Sequence, residues 1–126
     1  MTQEKDALLM RGFGYADLAT STDDPEILQD AMALALSVLK PLSSPEHRVP
    51  RAAYGVGMLA HFMATQTLRS HEIEEEERLV TAYQFFTKAA KYFAIAAAME
   101  DFEKDGTPAQ AADALAYLRE RGVIEG

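Results

Sequence analysis

Apolar residues recur every three or four positions along almost the whole chain, the spacing of one face of an α-helix. The pattern is clearest in Ile27, Leu28, Ala31, Leu34, Ala35, Val38 and Leu39. Asp24 is suited to cap that helix, Pro25 to open it and Glu26 to its first turn. Pro41 is expected to close it, because the residue before a proline avoids the α region. Nowhere do polar and apolar positions alternate with β-branched residues as a strand requires. The chain is therefore expected to be all-α, one domain of five helices. Antiparallel helical hairpins would form a small bundle or array.

The other four helices follow from the same pattern. The first is expected from about Thr2 to Ala19, with Leu8, Leu9, Phe13, Ala16 and Leu18 apolar. Gly12 and Gly14 each weaken it by about 1 kcal/mol against Ala, but admit a close neighbour. Residues 41–50 hold Pro41, Ser43, Ser44, Pro45 and Pro50 and read as a loop, with a short turn from Pro45 to His47 capped by Ser44. The third helix is expected from Arg51 to Arg69. The fourth is expected from Glu72 to Lys104, its N-terminal acidic run (Glu72, Glu74, Glu75, Glu76, Glu77) complementing the helix dipole. Gly106 would stop it. Thr107 would cap a fifth helix from Pro108 to Arg121, ended by Gly122.

The fourth helix carries two apolar stripes. One runs Leu79, Ala82, Tyr83, Phe86, Ala89, Ala90, Phe93, Ala96, Ala97; the other runs Phe85, Tyr92, Ile95, Met99, Phe102. A helix apolar on two sides is covered on two sides. It is expected to be the central helix or to meet another subunit. Leu79, Ala82, Phe86, Ala89, Phe93 and Ala97 are expected in the core, facing Leu28, Ala31, Leu34, Ala35 and Val38. The fifth helix would lay Ala109, Ala112, Leu115, Ala116 and Leu118 over Ile95, Met99 and Phe102. Phe85, with Tyr92 beside it, would be left as a partner or homodimer contact.

A shift of 51 residues lays the second helix on the fourth: Leu28 on Leu79, Ala31 on Ala82, Val38 on Ala89, Lys40 on Lys91. Both preceding helices hold a Gly-x-Gly, Gly12 with Gly14 and Gly55 with Gly57. Ala82, Phe86 and Ala89 resemble the second helix of a tetratricopeptide repeat. Leu8, Gly12 and Tyr15 resemble its first helix, and Leu59 and Ala60 match part of it. The chain departs from that family in its offset of 43 to 51 residues, against a period of about 34, and in Ala35 standing where an aromatic belongs. The resemblance implies a peptide- or protein-binding groove and no catalysis.

Composition narrows the function classes. The 126 residues include 20 Asp and Glu against 12 Lys and Arg, a net charge of -8. That charge speaks against direct nucleic-acid binding, which needs a basic footprint. It suits basic protein partners reached by electrostatic steering. With no cysteine, disulfides, thiolate metal sites and a Cys nucleophile are excluded. The longest apolar run, Tyr92 to Met99, is 8 residues, where a membrane span takes about 20. The first residues form no apolar signal segment, so a cytoplasmic protein is expected.

Catalytic motifs are missing: no nucleophile elbow, phosphate loop or dinucleotide fingerprint occurs. No metal or cofactor is expected. His71 and Glu75 would share a helix face, but metal sites in bundles draw on more than one helix. His61 lies on the third helix. It could be a core histidine or, with Tyr54 and Tyr83, part of a site for a metal or apolar ligand. His47, Arg48 and Arg51, with Lys40, form a basic patch that could meet an acidic group of a partner. The leading expectation is a non-enzymatic adaptor, chaperone or assembly subunit. A mobile-element inhibitor or nucleic-acid mimic is the alternative in the same class. A ligand-holding bundle near His61 is the contrasting one.

Overall fold

The computed structural model describes residues 3–99 and 107–122. It contains five helices, α1 (Gln3–Ser21), α2 (Pro25–Leu42), α3 (Pro50–Arg69), α4 (Glu75–Met99) and α5 (Thr107–Glu120). No strand occurs among the described residues. None of their helices is long and apolar enough to cross a membrane.

Local chemistry sets the boundaries. Asp24 caps α2: its carboxylate accepts from the Glu26 N–H at 2.9 Å and the Ile27 N–H at 3.4 Å. Pro41 does not end α2, which continues to Leu42. A proline in the last turn loses its own N–H bond and crowds the carbonyl four residues back, but so near the helix end little remains to be disrupted beyond it. Ser43 closes the helix instead, its N–H reaching the Leu39 and Lys40 carbonyls and its hydroxyl donating to Lys40 at 2.6 Å. The turn that follows is capped as its sequence suggests, the His47 N–H reaching the Ser44 hydroxyl at 3.4 Å. α4 starts at Glu75, not Glu72, so only Glu75, Glu76 and Glu77 occupy its first turn. The expected extension to Lys104 and the stop at Gly106 lie outside the described residues. α5 begins at Thr107 itself, one residue before the expected start at Pro108. Gly122, at φ 81°, follows its C-terminus in the left-handed conformation that glycine adopts without strain.

Each helix packs on the next in the chain, and the α3–α4 seam is the most extensive. α1 and α5 also reach α3, whereas α2 and α4 do not come into backbone contact with each other. The central helix is therefore α3, not α4. The physical reason is side-chain size. α3 buries Ala52, Ala53, Gly55, Val56, Gly57, Ala60 and Ala64, and small residues let neighbours close in from several sides.

Two hydrophobic clusters result, joined through α3. Leu9, Ala19, Ala31, Ala35, Leu39, Val56 and Leu59 belong to the first. Ala60, Ala64, Ala82, Phe86, Phe93, Ala111, Leu115 and Leu118 belong to the second. The α2 and α4 stripes thus enter different clusters rather than one shared core. Ala82, Phe86, Ala89 and Phe93 are buried as expected, but Ala97 is exposed and Ala96 takes its place. The helical repeat carries a residue fifteen after Ala82 off the buried line. Leu79, Leu28 and Val38 are half-buried, and Leu34 is exposed while Met32 is buried.

Candidate functional site

A groove opens between α2 and α4, with α3 as its floor. Met32, Leu36 and Lys40 line it from α2, Val56, Leu59, Ala60 and Met63 from α3, and Phe85 and Lys88 from α4. The space between its walls, counted together with the solvent-open part, is about 300 Å³. Its origin is the fold itself: α2 and α4 both lean on the small-residue helix α3, so their facing sides remain apart. The α2 wall comes from positions 32, 36 and 40, one helical row with steps of four.

Of the second stripe of α4, Phe85 lines this groove and is half-buried. Tyr92 is half-buried and packs on the first cluster, with the Lys91 ammonium 5.9 Å from its ring centroid. Ile95 and Met99 are half-buried. α5 buries Leu115 and Leu118, as expected, together with Ala111 in the second cluster, leaving Ala109, Ala112 and Ala116 exposed. Arg119 Nε donates to the Tyr83 hydroxyl at 3.1 Å, which ties α5 to the other flank of α4. The expected face is right at Leu115 and Leu118, and Ala111 is buried where Ala112 was expected. Phe102, also placed in the stripe, lies outside the described residues.

The groove is electrostatically distinct. Its charged lining residues are Lys40 and Lys88, and none of the lining residues is acidic. Neither ammonium has a hydrogen-bond or ion-pair partner among the described residues. Both side chains are exposed.

Of the three candidates for a ligand site, Tyr54 and His61 meet α4 rings in the α3–α4 seam and Tyr83 meets α5, all apart from the groove lining. Tyr54 packs on Phe93 with ring centroids 5.1 Å apart, and His61 meets Phe86 edge-on at 5.5 Å. Tyr83 is buried beneath Arg119, whose guanidinium lies 5.9 Å from its ring centroid. Each ring is thus engaged in packing between helices. His71 lies in the turn before α4, so the proposed helical pairing with Glu75 does not form. No group of three metal-ligating residues occurs among the described residues.

The basic patch stands at the α2–α3 turn. His47 is half-buried, and its carbonyl accepts from Lys5 Nζ at 3.3 Å. Arg48 is exposed and reverses the chain at φ 52°; Arg51 is exposed in the first turn of α3. Among the basic residues grouped by sequence, Lys40 alone lines the groove, while Lys88 joins it from α4. Nothing in the sequence beyond its place one turn after Phe85 sets Lys88 apart, because its setting depends on α2, about fifty positions away.

No protein-family model, curated protein or solved structure matches the chain.

Proposed function

We propose that this protein is a non-enzymatic protein-binding module whose docking surface is the α2–α3–α4 groove around Phe85. The observation that carries this reading is an open apolar groove with a half-buried aromatic in its wall. Apolar side chains left accessible in a concavity gain by being covered, and aromatic residues concentrate binding energy at interface centres. The lining supplies no hydroxyl, imidazole or carboxylate with which to run a reaction. Its side chains offer shape, apolar area and two cations, which are the requirements of recognition.

Phe85→Glu tests the reading. The substitution puts a charge where an apolar partner side chain would rest, on a residue that is only half-buried. The far-UV circular dichroism should stay unchanged. A partner co-purifying from the native host with the wild-type chain, and reconstituted from purified components, should be lost with the variant. If the variant is folded and retains that partner, the docking surface is elsewhere.

A further inference from the structure

The charge of the groove runs against the charge of the molecule, and that contrast bears on what occupies it. The chain carries a net charge of -8. Its groove nevertheless holds two lysines without partners among the described residues, and no carboxylate. An apolar occupant alone would leave both ammoniums uncompensated beside a newly dried surface, where charge pairing gains strength. A cationic occupant would add repulsion.

The backbone of the occupant is constrained as well. An extended peptide needs partners for its N–H and C=O groups. Helix side chains line the groove, Met32, Leu36, Val56, Leu59, Met63 and Phe85 among them, and they offer no sheet edge. A helix satisfies its own backbone and presents only side chains. The α2 wall spans Met32 to Lys40, about 12 Å at 1.5 Å per residue, or roughly two helical turns.

We infer that the groove takes a short amphipathic helix of a protein partner, with apolar residues at i and i+4 and carboxylates at i+7 or i+8. This rests on the reading of the groove as a docking surface. The apolar pair lies against Met32, Leu36 and Phe85. The carboxylates meet Lys40 and Lys88, matching the i, i+4, i+8 row of the α2 wall. The acidic exterior of the molecule repels such a segment elsewhere, so the same charge that weakens general attraction favours the groove over the rest of the surface.

The experiment uses two fluorescein-labelled, Ala-rich helical peptides. Both carry Leu at i and i+4; one has Glu at i+7 and i+8, the other Lys. Binding to the full chain is followed by fluorescence polarisation. The Glu peptide should bind about fivefold tighter than the Lys peptide, the scale of two exposed ion pairs, and the difference should shrink in high salt. The double variant K40E/K88E should reverse the preference, and Phe85→Glu should weaken both peptides. Equal binding of the two peptides overturns the charge assignment while leaving the groove a docking surface. If neither peptide binds but Phe85→Glu still releases the host partner, the helical acidic occupant is wrong and the docking reading stands. Failure of both experiments removes both. A wild-type dimer in sedimentation velocity that K40E/K88E dissociates would make the occupant a second copy and overturn the inference.

Discussion

Gly12 and Gly57 sit where paired helices cross. A methyl group on Gly12 would come within 2.6 Å of Leu39 Cδ2; one on Gly57 would come within 2.7 Å of the Phe93 ring and 3.2 Å of the Ala89 carbonyl oxygen. Gly14 has nothing within 4 Å of the same position. The three glycines therefore predict opposite responses to alanine. Gly14→Ala should stabilise by up to about 1 kcal/mol through helix propensity alone. Gly57→Ala should destabilise by about 1–3 kcal/mol, because the aromatic ring must move against α4 backbone. Urea melts of the two variants check both signs, and a stabilised Gly57→Ala would mean that α3 and α4 are not in such close contact. The two Gly-x-Gly sequences, Gly12-Phe13-Gly14 and Gly55-Val56-Gly57, thus act differently: both glycines of the second meet a neighbouring helix, only Gly12 of the first does.

Single elements show which local signals persist under packing. The Asp24 cap of α2 forms as its sequence suggests. Asp24→Ala should cost about 1 kcal/mol in a denaturant melt, since two orphan N–H groups at an exposed helix start fall back on water. A change indistinguishable from zero would mean the cap adds nothing over solvation. In α4 the inner stripe is decisive: Phe86 is 2% exposed and contacts His61. Phe86→Ala should cost about 3–5 kcal/mol. A loss below about 1 kcal/mol would remove Phe86 from the core. Pro41 shows the reverse case, a stop signal that acts two residues late because the bond it lacks and the carbonyl it crowds fall in the last turn of α2.

At the scale of the molecule, α3 belongs to both hydrophobic clusters and touches all four other helices. Local opening of α1 or α5 leaves α3 covered elsewhere, so α3 amides should exchange with solvent only through the largest openings. α5 is short and leans on α4 and a small part of α3. In native-state hydrogen exchange α5 should therefore be the less protected of the two. Equal protection across α3 and α5 would mean the two clusters open as a single unit. The same arrangement creates the groove. A central helix of small residues draws its neighbours inward and leaves the facing sides of α2 and α4 unjoined.

Much was determined by the sequence alone, because it rests on neighbours in the chain. Five helices, the Asp24 cap, the turn at Ser44, the glycine after α5 and the burial of Ala82, Phe86, Ala89 and Phe93 all depend on contacts within a few residues or on one helical period. Tertiary structure decided which helix lies at the centre, which alanines α5 buries beside Leu115 and Leu118, and where Phe85 faces. Periodicity says that a face is apolar without saying what covers it, and α4 has two such faces. Side-chain bulk on α3 settled that choice, and it is visible only once neighbouring helices compete for the same surface. The groove was illegible for the same reason: Lys40 and Lys88 stand 48 positions apart, and only the packing of α2 and α4 onto α3 brings them to one rim.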